Sequence, residues 1–271
     1  MQLGYIDRSL RLPDSDAFRV VADAGLEGME IGIYGDYPND RFWDHDARQD
    51  LARRAKDHGL TLASVILSTH GRIDFPEDDQ QRALCREMAR ATVEACAELS
   101  IPVMMIPGFK KHHYTTVLQM ERAIDDMRDL APRAAALGVM IGLETLLPGA
   151  TNQYLIENID SPNVTIYYDA ANTLNHGWDP YAELPRLAPV ICRHHIKPSS
   201  GTVGWRPSAP GERPPGHRLR LDEGTFDVAA WVAAVQASGY DGWLMLETSP
   251  VGDDHVSEAH HNARVLREMV R

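Results

Sequence analysis

The chain has 271 residues, of which 44% are hydrophobic and 24% charged, and its formal net charge is −12. That is the composition of a globular protein with a large core, and its acidity argues against a broad surface for a phosphate backbone or an anionic membrane. Three cysteines (Cys85, Cys96, Cys192) exclude a disulfide framework or CxxC zinc site, and neither a membrane span nor a signal peptide is legible, so a reducing cytoplasm is expected.

Short apolar strands alternate with longer helical stretches. The first strand is QLGYI, followed by a helix in DSDAFRVVADAG, opened by Asp14 or Ser15 and closed by Gly25. GMEIGIY is the second strand, and a helix runs from about Asp44 to Asp57. LTLASVIL precedes a helix of about Glu77–Leu99, and PVMMIP precedes one of about Thr115–Leu137 that ends at Gly138. VMIGLE is the fifth strand, with a short helix around NQYLIENI. NVTIYYD is the sixth, followed by a helical piece, PYAELPRL. VICRHHIK is the seventh. FDVAAWVAAVQASG is a helix, GWLMLE the eighth strand and SEAHHNARVLREMVR the last helix.

Strands alternating with helices imply parallel pairing and right-handed crossovers. Eight units in this length predict an α/β fold, a single (β/α)8 TIM barrel over residues 1–271. The rival doubly wound sheet would carry a Gly-rich turn after an early strand, and no GxGxxG occurs there. One long loop, SSGTVGWRPSAPGERPPGHRLRLDEG (199–224), breaks the rhythm. Its Trp205, Arg206, Arg213 and Arg218 form a lid, an oligomer contact or, by default, a solvated loop.

Barrel active sites sit at the C-terminal strand ends, and side chains alternate faces along a strand. In VMIGLE, Val139, Ile141 and Leu143 face the helices, while Met140, Gly142 and Glu144 face inward. In NVTIYYD the inward set is Thr165, Tyr167 and Asp169. In GWLMLE it is Trp243, Met245 and Glu247. In the seventh strand Val190, Cys192 and Ile196 form the apolar outer face with His194, which leaves Arg193, His195 and Lys197 inside. Four consecutive strands thus end with an inward polar residue: Glu144, Asp169, His195, Glu247. Three carboxylates converging in one mouth repel strongly, so some are protonated or a cation lies among them. Oxygen ligands with one imidazole suit a divalent metal ion, Mn2+ first, with Mg2+, Co2+ and Zn2+ as alternatives.

Around this set, Lys197 is placed to hold a carbonyl or anionic oxygen, Asn172 to contact substrate hydroxyls or cap a turn, and His70 to line the pocket. Glu30 is either a pocket residue or a hydrogen-bonding support. His176 and Trp178 wall the mouth. His112, His113, His260 and His261 read as surface or packing residues.

GLET, YYDAANTLNHG, HIK and DEGTFDVAAWVAAVQASGYDGWLMLE make the whole chain resemble the sugar isomerase/epimerase superfamily of xylose-isomerase-like barrels. That superfamily includes ketose 3-epimerases, inosose isomerases and dehydratases, and hydroxypyruvate isomerase. The resemblance implies a divalent metal held by Glu144, Asp169, His195 and Glu247, with Glu144 and Glu247 as the acid/base pair of a proton transfer through a metal-stabilised enediolate. This chain departs from ketose epimerases in three places. Asp169-Ala-Ala-Asn172 replaces Asp-x-x-His, Pro198 replaces the Asp after the seventh-strand Lys, and Gly201 stands where epimerases place an arginine.

The expected function is isomerisation or epimerisation of a small sugar, keto-sugar or polyol, without phosphate because no phosphate-binding loop is evident. The same ligands also support a dehydratase of an inosose or dehydroshikimate type. A DNA-repair endonuclease would need more histidines on the early strands, where only His70 offers itself. A non-catalytic sugar-binding subunit would not need the Glu144/Glu247 pair. The expected partner is a small molecule, not nucleic acid or membrane, and a homo-oligomer is compatible with the sequence.

Overall fold

In the computed structural model, which describes residues 1–73, 78–205 and 219–271, eight parallel strands close into a barrel in sequence order. They are β1 (Gln2–Ile6), β2 (Gly28–Gly32), β3 (Thr61–Ile66), β4 (Val103–Gly108), β5 (Met140–Thr145), β6 (Val164–Asp169), β7 (Ile191–Ile196) and β8 (Trp243–Leu246). Closure is made by β8 on β1, with Gln2 opposite Trp243 and Tyr5 opposite Leu246.

The helices form the outer layer: α1 (Asp14–Asp23), α2 (His45–Asp57), α3 (Asp79–Glu98), α4 (Val117–Ala136), α5 (Gly149–Ile159), α6 (Ala170–Asn175), α7 (Pro180–Leu187), α8 (Val228–Ala237) and α9 (His255–Met269). Acceptor side chains start most of them. Asp44, Asp78, Thr116, Asp179, Asp227 and Asp254 each accept a backbone N–H of the following turn. The start of α1 differs from the sequence expectation. Pro13 precedes it without a side-chain cap, because the Asp14 carboxylate is drawn into an ion pair with Arg41, which also grips Asp7. Gly25 ends α1 with φ of 73°, a left-handed conformation that glycine adopts without a Cβ penalty. Glu77, expected to begin the third long helix, lies outside the described residues, as do Arg206, Arg213 and Arg218.

Two apolar layers result. The outer one, between strands and helices, holds bulky residues such as Ile141, Leu143, Tyr168 and Leu244. The inner one fills the barrel with Ile6, Ala63, Ile66, Val103, Met105, Tyr167, Cys192, Trp243 and Met245. Cys192 corrects the sequence reading, which put it on the helix side. The β6–β7 register shifts so that Ile166 opposes Ile191 while Tyr167 opposes Arg193. Cys192 is the extra residue of this bulge, and its Sγ would lie 3.0 Å from a Cβ on the inward Gly142. Beyond the bulge the alternation resumes, so His195 opposes the inward Met245 and His194 the outward Leu244.

Candidate active site

The C-terminal ends of β5 to β8 bring Glu144, Asp169, His195 and Glu247 together. One ligand atom from each lies within 4.8 Å of all the others. Glu144, Asp169 and His195 are buried and Glu247 is partly open to solvent.

His195 has a defined orientation. Its Nε2 lies 2.7 Å from Glu30 Oε2. An ionised carboxylate only accepts, so this nitrogen carries a proton and donates it. Nδ1 is left facing Glu144 Oε1 at 3.3 Å and Glu247 Oε2 at 3.5 Å. The Tyr167 ring supports the imidazole at 4.4 Å between centroids. Burial opposes charge on His195, but Glu30 and Glu144 outweigh it and hold its pKa well above the ordinary imidazole value. Glu30 is 0% exposed, bonded to His195 on one oxygen and accepting from Ser64 Oγ at 2.7 Å on the other. Both oxygens of Glu30 are thus engaged within the protein.

Asp169 does two jobs. It ends β6 and caps α6, its Oδ1 accepting the Asn172 N–H at 2.9 Å. Its Oδ2 turns into the site, 2.6 Å from Lys197 Nζ but out of line for a hydrogen bond. Burial raises its pKa to about 7 against the pull of Lys197. Lys197 Nζ also donates to Glu247 Oε2 at 2.7 Å. Burial alone would raise the Glu247 pKa, yet Lys197 and His195 bring it down to about 2. Lys197 itself is held protonated, its desolvation outweighed by Asp169 and Glu247. Asn172 donates from Nδ2 to Glu144 Oε1 at 3.0 Å. His176 turns to the Asn172 carbonyl, to which Nδ1 donates at 2.8 Å, and Trp178 is half-buried beside it.

The charge count tests whether a cation fits. Glu30, Glu144, Asp169 and Glu247 bring four carboxylates, against which stand the imidazolium and the ammonium. Full ionisation leaves two uncompensated negative charges in a buried site. A divalent cation offsets them, and because its binding would displace the His195 Nδ1 proton, the fully ionised, loaded site would keep one net negative charge. The donor set of three carboxylates and one imidazole suits such an ion.

His70 is not brought to this site. The turn after β3 (Ser68–Arg72) points it outward against α3, where Nε2 donates to the Cys85 carbonyl at 3.0 Å. It stacks on His112 with centroids 4.7 Å apart, and burial lowers its pKa to about 4. Sequence reasoning missed Tyr34. It shares parity with Glu30 and Gly32 two residues past β2, lies against Gly32 and is 42% exposed. Its ring is open to solvent but its hydroxyl end is crowded, and burial of that end raises the phenol pKa, with the field of Glu247 adding to the effect. The period-two signal that identifies Glu144 also reaches Tyr34 once it is extended past the strand end.

A family model described as xylose isomerase-like TIM barrel matches residues 18–269. A 2-epi-5-epi-valiolone 7-phosphate 2-epimerase from Actinoplanes sp. is 24% identical over 211 residues, covering 76% of each chain. A 3-dehydroshikimate dehydratase from Pseudomonas aeruginosa is 29% identical over 259 residues, covering 90% of this chain but only 37% of that longer protein. Among solved structures, an L-ribulose 3-epimerase superposes with a TM-score of 0.80 at 20% identity, covering 100% of this chain and 95% of that one.

Proposed function

The chain belongs to the xylose isomerase-like TIM barrel family, and from that membership we propose that it is a divalent-metal-dependent isomerase or epimerase of a small sugar, keto-sugar or polyol. The observation that carries this reading is the convergence of Glu144, Asp169, His195 and Glu247 within 4.8 Å at the barrel mouth, with negative charge in excess.

In this reading the four residues hold one divalent ion, Mn2+ by preference. When bound, the ion supplies Lewis-acid polarisation of a substrate carbonyl and its neighbouring hydroxyl. The chain's own residues move the proton. Glu144 comes from β5 and Glu247 from β8, with two strands between them, so their carboxylates approach the substrate from different sides. One removes the proton next to the carbonyl and the other returns it. Return to the opposite face of the same carbon is epimerisation, and return to the neighbouring carbon is isomerisation. The low pKa of Glu247 keeps it ionised at neutral pH and ready to accept a proton. Asn172 fixes the Glu144 carboxylate through its amide. Lys197, bridging Asp169 and Glu247, is the donor placed to meet a substrate oxygen. Tyr34, in the field of Glu247 and Glu30, flanks the mouth.

Dehydration is favoured as a second reading by Gly201. That residue is buried, and a Cβ there would come 2.6 Å from Asn175 Oδ1 and 3.0 Å from the Leu174 carbonyl. The space of the epimerase-type arginine is closed, so a substrate that needs that arginine is disfavoured. The similarity to a dehydratase points the same way.

The test is a metal-supplemented screen of ketoses, inososes and keto acids, with and without phosphate, read by solvent-deuterium incorporation at carbon. Exchange into the product supports α-proton transfer, and an ultraviolet-absorbing enone selects dehydration. Glu144→Gln and Glu247→Gln should each lower the rate by about 10²–10⁴-fold. Full turnover in either variant would remove the acid/base roles. Full activity in protein shown by elemental analysis to be metal-free after chelation would remove the metal.

A further inference from the structure

Outside the barrel mouth, a second group of metal-ligating side chains is buried in the helix layer. His70 follows β3, Cys85 lies on α3 and His112 lies in the connection between β4 and α4. Each is 2% exposed, and one donor atom from each lies within 4.8 Å of the others. Cys85 Sγ is 3.9 Å from His112 Nδ1.

The tautomer of His70 is fixed by geometry. A backbone carbonyl only accepts, so the Nε2 that meets the Cys85 oxygen is the protonated nitrogen. Nδ1 is then a bare lone pair. It is buried, and among the described residues it has no hydrogen-bond partner. An unmet acceptor in the interior calls for a water, a donor or an ion. A small cavity of about 20 Å3 adjoins the group, lined by His70, Cys85, His112, Tyr114 and, at its polar edge, Arg86 and Asp126. That is room for a single water.

We propose that His70, Cys85 and His112 form a second metal site, for a Zn2+ whose fourth ligand is a water in the adjoining cavity. Two imidazoles and a thiolate are a borderline-soft set that suits zinc better than the hard ions suited to the mouth. Bond lengths of about 2.3 Å to sulfur and 2.0–2.1 Å to nitrogen put tetrahedral ligand atoms roughly 3.3–3.6 Å apart. The 3.9 Å Sγ–Nδ1 separation needs a few tenths of an ångström of contraction, and the pairs that include His70, within 4.8 Å, need up to about 1.5 Å. Binding releases one proton: the Cys85 S–H bond breaks, a zinc–sulfur bond forms and the proton leaves to solvent. The ion ties the turn after β3 to α3 and to the loop after β4, clamping one side of the mouth without touching it. This site does not depend on the reaction proposed above.

The experiment is a Co2+ titration of metal-free protein, wild type and the double variant Glu144→Gln/Asp169→Asn, in which two of the mouth ligands are removed. Thiolate bound to Co2+ gives an intense near-ultraviolet charge-transfer band that a carboxylate–imidazole site cannot give. Both proteins should show the band, Zn2+ should bleach it, and Cys85→Ser should abolish it while binding one fewer cobalt ion. His70→Gln should weaken it in proportion to lost affinity. Absence of the band in wild-type protein, or its persistence in Cys85→Ser through another thiol, overturns the proposal. Loss of activity on chelation with no such band would leave the mouth reading standing alone, so the two failures are distinguishable.

Discussion

His194 and His195 are adjacent in sequence and opposite in chemistry. His195 lies among carboxylates that keep it charged. His194 lies in the outer layer among the rings of Tyr168, Trp231 and Tyr240, the last at 4.7 Å. Burial lowers its pKa to about 3, so it is neutral in the fold, while in the unfolded chain it has its ordinary value of about 6.5. A base depressed in this way contributes stability that is fully present above about pH 6.5 and is lost as pH falls toward the folded-state value. Between about pH 7 and 4.5 the loss amounts to about 2–3 kcal/mol. His194→Phe keeps the aromatic packing and removes the titration. Urea unfolding at both pH values should show wild type losing that much stability relative to the variant. A pH-independent difference would mean that His194 is charged, or solvated, in the fold. Parity along the strand is enough to separate these two histidines. It fails for Cys192, because a bulge is a property of the backbone pairing between two strands and leaves no mark in either sequence alone. It does not reach His70 either, which lies four residues past β3 in a tight turn (Ser68–Arg72) that resets the side-chain direction.

At the scale of elements, eight strand–helix units and their order are legible because each carries its own period and stop signal. The short α6 is not legible. Six residues are too few to show a helical period, and the residue that caps it, Asp169, reads equally as the inward end of β6. The barrel floor shows how elements are fitted to one another. Gly28 on β2 faces Trp243 on β8, where a Cβ would lie 2.5 Å from the indole Cζ3 and 3.0 Å from the Thr61 carbonyl. The glycine is there because the rigid indole of another strand fills its space, and not for a backbone angle. Gly28→Ala should therefore destabilise by about 1–3 kcal/mol. In a Trp243→Leu background the same change should cost much less, with a coupling energy on the order of 1 kcal/mol or more in a double-mutant cycle. Additive effects would show that the indole moves freely out of the way and that Gly28 serves another purpose.

For the whole molecule, net charge and the placement of histidines act together. A barrel of this family with histidines at the ends of its early strands would fit a multi-metal phosphodiester site. Here the early-strand histidines, His70 and His112, are turned away from the mouth and packed on α3. The mouth that remains carries more carboxylates than cations, on a chain of net charge −12. A phosphate backbone approaching that mouth meets repulsion where binding would require the release of counterions. Fluorescence anisotropy with a duplex carrying an abasic site, at low salt where any attraction is strongest, should show no saturable binding in the range of about 10⁻⁴–10⁻⁶ M typical of non-specific DNA binders. The same duplex should survive incubation with the metal-loaded protein uncut. Binding that weakens steeply with added salt, or cleavage that Glu144→Gln abolishes, would place the mouth's chemistry on a phosphodiester. A mouth that binds only neutral small molecules should be indifferent to ionic strength, so the salt series separates the two substrate classes even before the sugar is identified.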